Sequence, residues 1–224
     1  MMKKTFVLSC SLACAFLFAT AIHAQETNVL TPAEEALGFE LLFDGKALSP
    51  EIWQDDTSIA AYPVENGAIV YRKGTPNLFT KKEYANFIFR FEFKLPPAGN
   101  NGVGIRAASV SQYPMEIQIL DNSAEQYRTL EPYQYHGSLY GVVPAKRNPE
   151  RNDYLKPVGE WNYQEIIAQG TKFKVILNGE IIVDADLAEY PQKPASMGRE
   201  RGFVGFLGHD DPVEFRSIRI KALE

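Results

Sequence analysis

Past residue 24 the chain contains no cysteine, because Cys10 and Cys14 both lie within the first 24 residues. The remaining 200 residues therefore form no disulfide and offer no thiolate, and the fold has to rest on its packed core. Histidine is scarce as well, with only His23, His136 and His209. No His/Cys spacing suits zinc. The sequence also lacks a glycine-rich phosphate loop and a nucleophile elbow, which removes nucleotide-dependent and serine-hydrolase readings. Positive charge is in deficit: formal net charge is -5, and -7 once Lys3 and Lys4 are removed. A chain that acidic has no electrostatic attraction for nucleic acid or an anionic membrane, so neither is expected as a partner.

The one long apolar run is at the start. Lys3 and Lys4 precede Thr5 to Ala21, and Ile22-His23-Ala24 supplies a small residue before Gln25. This is the layout of a secretory signal peptide over residues 1–24, cleaved near Ala24, which places the protein in the periplasm or outside the cell. The run is short for a membrane anchor and no stop-transfer charges follow it, so no span is expected in the mature chain. The residues before Cys10 and Cys14 fit a lipidation box only loosely.

What is abundant is aromatic: 14 Phe and 11 Tyr favour sheet over helix. Residues 25–38 read as a lead-in, with Thr31 capping a short helix that has Pro32 at its first position. From Phe39 to residue 224 one β domain is expected. Phe87, Phe89, Phe91, Phe93 and Leu95 alternate with Ile88, Arg90, Glu92 and Lys94, the clearest half-buried strand in the chain. Pro96 to Gly102 reads as a loop, followed by strands over Val103 to Ala107 and Met115 to Leu120. Asn66-Gly67 and Asn178-Gly179 sit between alternating runs and mark hairpins. Residues 122–160 are polar, aromatic and proline-rich, and read as long loops over one face with a short strand at Ser138 to Val142. Strands resume over Tyr163 to Gln169, Lys172 to Leu177, Glu180 to Val183, Gly202 to Leu207 and Val213 to Ile220. About a dozen strands with no core helix point to an all-β sandwich or jelly roll of two antiparallel sheets. Trp53 and Trp161 read as core residues at strand starts.

The segment 113–122 says most about function. Met115, Ile117 and Ile119 alternate with Glu116 and Gln118, so the apolar set faces a core and the polar pair faces away. Asp121 follows Gln118 by three residues; an unbroken strand turns it inward, whereas a bulge returns it to the polar face. Two carboxylates and an amide would then line the open side of a sheet, where a sugar fits. Arg106 in the preceding strand is a candidate cross-strand partner, and Tyr127, Tyr133, Tyr135 and Tyr140 offer rings and hydroxyls from the covering loops. His209, in Gly208-His209-Asp210-Asp211, is the candidate for proton exchange near neutral pH, with His136 as a second. Asp210, Asp211 and Glu214 are oxygen donors for a divalent cation such as calcium, or simply solvated loop acids.

Several segments together resemble the 3-keto-disaccharide hydrolase domain family. They are Gly38-Phe39 through Leu42-Phe43-Asp44-Gly45-Lys46 with Leu48 and Trp53; Asn101-Gly102 through Ile105-Arg106; Glu116 to Asp121; Gly137 to Tyr140; Lys156-Pro157 through Glu160-Trp161-Asn162; Leu177-Asn178-Gly179; and Val213 to Ile220. The resemblance implies a concanavalin-like jelly roll acting on carbohydrate. It marks Glu116, Gln118, Asp121 and His209 as pocket residues. It also implies cleavage of a 3-keto-glycoside, in which the C3 ketone acidifies the C2 proton and the C1 substituent leaves by elimination, with water adding back. Glu116 and His209 would move the protons, Arg106 or a divalent cation would hold the oxyanion, and Gln118, Asp121, Tyr140 and His136 would contact the sugar. The chain departs from the family at Phe206-Leu207-Gly208-His209-Asp210, where the usual pattern is Leu-Gln-x-His-Gly. A non-catalytic sugar-binding sandwich and a conventional retaining glycosidase are the rival expectations. The same strand is similar to the Glu-x-Asp-x-x-Glu strand of laminarinase-like enzymes, but with Gln118 and Asp121 at the second and third acid positions.

Overall fold

The computed structural model describes residues 26–55, 58–59 and 62–224; the expected signal segment lies outside them. Among the described residues, thirteen strands form two antiparallel sheets. They are β1 (Glu40–Leu41), β2 (Trp53–Gln54), β3 (Val64–Glu65), β4 (Ala68–Val70), β5 (Leu78–Thr80), β6 (Asn86–Lys94), β7 (Asn100–Ala107), β8 (Met115–Leu120), β9 (Trp161–Gln169), β10 (Lys172–Leu177), β11 (Glu180–Asp186), β12 (Phe203–Phe206) and β13 (Glu214–Leu223). The larger sheet runs β11-β10-β9-β6-β13-β4-β3, with β1 also on β13, and the smaller runs β2-β5-β12-β7-β8. This is the sandwich that the alternating runs imply.

Its core is built where alternation is cleanest. On β6, Phe87, Phe89, Phe91 and Phe93 are fully buried, and Phe91 packs edge-on against Phe206 of β12 and Phe215 of β13. Phe206 and Phe215 stack with ring centroids 4.0 Å apart. Each such ring removes roughly 150–250 Å² from water, so this seam carries much of the stability that disulfides would otherwise supply. Trp53 is buried and donates from Nε1 to the Leu42 carbonyl at 2.8 Å. Trp161 differs from expectation: it is only partly buried, on the outer side of β9, with Arg216 and Lys94 over its ring.

The lead-in is fastened to the larger sheet. Thr31 and Glu34 form a capping box on the helix α1 (Pro32–Ala36). Glu34 then accepts from Arg219 at 2.6 Å, while Arg90 bridges Glu34 and Glu165. Asn28 exchanges hydrogen bonds with Ser217, at the bulge in β13.

Two departures in the smaller sheet position everything functional. Strand β7 begins at Asn100, inside the expected loop. Its register against β12 slips between Gly104 and Ala107, so β7 carries one extra residue there. Arg106, in the bulge, has a φ of 50°. The bulge interrupts the alternation, leaving Gly102 and Gly104 on the outer face and Val103 and Ile105 in the core, with Arg106 turned away from the glycines. Gly202 is required opposite it, since a Cβ there would lie 2.4 Å from the Ala107 carbonyl oxygen.

Candidate functional site

Strand β8 pairs with β7 in unbroken register, Glu116 opposite Gly104 and Gln118 opposite Gly102. Met115, Ile117 and Ile119 are fully buried in the core, as their spacing implies. The polar face is not open, however. Glu116 is 3% and Gln118 5% exposed, because the chain from 137 to 140 lies along the free edge of β8. Gly137 N–H donates to the Gln118 carbonyl at 2.8 Å, Gln118 N–H to the Ser138 carbonyl at 3.0 Å, and Tyr140 N–H to the Glu116 carbonyl at 2.9 Å. The short strand expected over Ser138 to Val142 is reduced to isolated bridges at Leu139.

Glu116 is the centre of the site. Its carboxylate lies across β7 over Gly102, where a Cβ would fall 2.2 Å from Oε1. Oε1 stands 3.9 Å from His209 Nε2, and Oε2 accepts a hydrogen bond from the Tyr113 hydroxyl. A buried acid is thus held between a phenol and an imidazole. Burial pushes the Glu116 carboxyl above its ordinary range, with the Tyr113 hydroxyl pulling the other way. Burial holds the His209 imidazole below its ordinary value, although Asp211 and Asp210 oppose this. The Tyr113 hydroxyl is raised by desolvation where it meets the buried carboxyl, although most of the residue is exposed, and by its contact with Glu116. Burial thus makes the Glu116 carboxylate a stronger base than an ordinary glutamate and the imidazole beside it a weaker base than an ordinary histidine. Tyr140 is a neighbour of Tyr113, its hydroxyl accepting from Gln134 Nε2 at 2.7 Å. Gln118 uses its side-chain carbonyl on the Ile119 N–H at 3.0 Å, which leaves the amide nitrogen as its donor.

The other expected residues lie elsewhere. Asp121 is not returned by a bulge, for β8 has none and ends at Leu120. Its carboxylate accepts from Ala98 N–H, Ser123 N–H and Ser123 Oγ at 2.9, 3.0 and 2.6 Å, tying the β6–β7 turn to the exit of β8. Arg106 is not a neighbour of Glu116, because the bulge in β7 sends it into a cavity of about 320 Å³ beside Phe173, Lys193 and Arg199. There its guanidinium donates to the carbonyls of Ala85, Gly170 and Arg199. His136 is a core residue that stacks on Phe93 with ring centroids 5.1 Å apart. Its Nδ1 accepts from the Leu120 N–H at 3.2 Å, so Nε2 carries the hydrogen donated to Gln164 Oε1 at 3.0 Å. Burial depresses its pKa to about 3. Asp210, Asp211 and Glu214 are separately engaged, by Gly74 N–H, Asn100 N–H and Lys94. Among the described residues, no group of three or more His, Cys, Asp or Glu side chains is placed to hold a metal ion.

Tyr113 is the site residue that sequence reasoning missed. It lies just before the strand, separated by Pro114 from the alternating pattern, so periodicity gave it no weight. The available signal was its i, i+3 spacing to Glu116 across a proline, which turns the ring back over the strand it precedes.

Comparison with known proteins places this geometry in context. A curated relative, the 3-keto-disaccharide hydrolase of Bacteroides thetaiotaomicron, is 25% identical over 94% of this chain and 87% of its own length. A crystal structure of a candidate glycosyl hydrolase from Parabacteroides distasonis superposes with a TM-score of 0.73 at 26% identity, covering 89% of this chain and 100% of that one. A Bacillus subtilis carbohydrate-binding module shares the fold alone, with a TM-score of 0.50 at 12% identity over 79% of this chain and 99% of its own. The family model described as 3-keto-alpha-glucoside-1,2-lyase-like matches residues 38–221, nearly the whole of the two sheets, and the chain belongs to that family.

Proposed function

We propose that this protein is an exported carbohydrate-active enzyme that cleaves 3-keto-glycosides by removing the C2 proton. The observation that carries the reading is the buried Glu116 carboxylate, held between the Tyr113 hydroxyl and the His209 imidazole. A sugar oxidised at C3 has an acidified C2–H, and a desolvated carboxylate of raised pKa is matched to taking it. The C2–H bond breaks, the proton passes to Glu116, and the electron pair forms an enolate on the C3 oxygen. When the enolate collapses, the C1–O bond breaks, and the departing oxygen takes the proton that Glu116 acquired. Neutral His209 then draws a proton from the water whose oxygen bonds to C1, and the C3 enolate re-formed by that addition takes the same proton back at C2, restoring the ketone and the neutral imidazole. Gln118 and Tyr140 orient sugar hydroxyls. Membership of the family and the name of the curated relative support the substrate class.

A two-carboxylate retaining mechanism finds less support, because it needs a second free acid beside Glu116 and the Asp121 oxygens are engaged at the far end of β8. A purely sugar-binding sandwich would have no use for an acid at 3% exposure beside an imidazole.

The test is turnover of a 3-keto-disaccharide by the mature chain and by Glu116→Gln and His209→Asn. Glu116→Gln is expected to lose about 10²–10⁴-fold in kcat. His209→Asn is expected to release the aglycone while the unsaturated sugar accumulates unhydrated. Wild-type kcat/KM should fall with decreasing pH along a limb lying above the ordinary glutamate range, since the carboxylate is active above its raised pKa and lost below it. Full turnover by Glu116→Gln discards the assignment.

A further inference from the structure

The reaction needs a donor for the enolate oxygen, and Arg106 is not available for it. Its guanidinium is bound to three carbonyls on the far side of the β7 bulge. We propose that Tyr113 is a catalytic residue, the hydroxyl that donates to the C3 oxygen as the enolate forms; this rests on the 3-keto-glycoside reading. C2 and C3 are adjacent atoms, so the base for one and the donor for the other must sit side by side. The Tyr113 hydroxyl touches Oε2 of Glu116, which meets that requirement. The residue is 67% exposed while Glu116 is 3% exposed, so the phenol reaches from solvent to a buried acid and an arriving sugar meets it first. The neighbouring phenol is less suited, because it is the Tyr113 hydroxyl that bonds to Glu116, whereas the Tyr140 oxygen is turned to accept from Gln134 Nε2. When the ketone enters, the Tyr113 O–H exchanges the carboxylate for the C3 oxygen. That exchange frees Oε2 to take the C2 proton at the moment the new negative charge appears beside the phenol. The proton of Tyr113 stays on its oxygen throughout, as a preorganised hydrogen bond to the developing anion.

The experiment compares wild type with Tyr113→Phe on 3-keto-glycosides carrying a poor aglycone and a nitrophenyl aglycone, with C2 hydrogen exchange into D₂O followed by NMR. The largely exposed ring makes the variant fold normally, which an unchanged melting temperature checks. The expected result is a loss of about 10²–10³-fold in kcat on both substrates, with C2 exchange slowed in parallel, measured on the plateau where Glu116 is ionised in both proteins. A loss confined to the poor aglycone with exchange unchanged makes Tyr113 a leaving-group acid and overturns the proposal. A plateau within threefold of wild type, with only the acid limb displaced, makes it a positioning residue for Glu116 and also overturns it. Absence of wild-type turnover and of C2 exchange defeats the 3-keto-glycoside reading itself, and the role of Tyr113 with it.

Discussion

Gly102 offers the sharpest perturbation of the site, because its missing side chain is the space that the Glu116 carboxylate occupies. A Cβ at 102 would lie 2.2 Å from Glu116 Oε1 and 2.9 Å from both Cδ and Cγ. The strand can accept alanine, for Gly102 is not among the residues of positive φ. The atoms in the way belong to a side chain rather than to backbone. The carboxylate must therefore withdraw by about 1 Å to reach ordinary contact, and displacement of that size costs about 100-fold in rate, or about 2.7 kcal/mol of transition-state stabilisation. It would also disturb the 3.9 Å approach to His209 and the bond from Tyr113. Stability should change little, since the lower chain entropy that alanine brings to the unfolded state (about 0.4–1 kcal/mol) offsets part of the strain. The assay is kcat/KM on a 3-keto-disaccharide together with urea unfolding. Activity within threefold of wild type in a stably folded Gly102→Ala protein would refute the claim that this position of Glu116 is the working one.

His136 and Arg106 should report structure rather than chemistry. His136 is neutral and buried, with a folded pKa of about 3 against an unfolded value near 6.5. The unfolded chain thus binds the extra proton between those values, and stability is lost as pH falls through that window, by up to about 1.4 kcal/mol per unit. Urea midpoints measured from pH 7 to 4 should fall more steeply for wild type than for His136→Asn; equal slopes would contradict the buried assignment. Arg106→Met should destabilise by about 3 kcal/mol by stranding the carbonyls of Ala85, Gly170 and Arg199. Its kcat should stay within a few-fold of wild type for the folded protein, and a selective collapse of kcat without loss of stability would return Arg106 to the active site.

The parts of the fold that could be read in advance are those where one face is dry. Phe87 to Phe93 alternate and are all fully buried, and Met115, Ile117 and Ile119 behave likewise, because burial on one side forces period two onto the sequence. The short strands Trp53–Gln54, at the edge of the smaller sheet, and Leu78–Thr80, next to it, escaped notice, since two or three residues cannot display a period. A bulge was one of two alternatives at Asp121; β8 has none there, and the slip occurs in β7 at Arg106. Nothing in Gly104-Ile105-Arg106-Ala107 announces it, because the close approach is made by a distant segment, just before β12, where Gly202 admits the backbone. The two histidines could not be ranked from sequence either. Both lie beside a glycine in an aromatic-containing segment, yet His136 is locked between Leu120 and Gln164, while the side chain of His209 keeps 32% of its exposure beside Glu116. Burial decides between them, and burial is a property of the tertiary fold.

The site owes its shape to side chains that are missing as much as to those present. Gly102 and Gly104 stand opposite Gln118 and Glu116 on the outer face of β7. A Cβ at 104 would strike Pro114 and the Phe79 ring, each about as closely as one at 102 strikes the carbon atoms of Glu116. Pro114 links Tyr113 to β8, so the same vacancy that lets Pro114 lie flat also lets the phenol turn back onto Glu116. Across the sheet Gly205 pairs with both Gly104 and Phe79, and a Cβ there would fall 1.9 Å from the Leu78 carbonyl oxygen. A row of glycines running from β12 into β7 thus brings three strands and a proline close enough for one buried acid to be reached by a phenol from one side and an imidazole from the other. Glycine in a strand interior weakens the sheet, and the large aromatic seam on the opposite face supplies the packing that makes such a row tolerable.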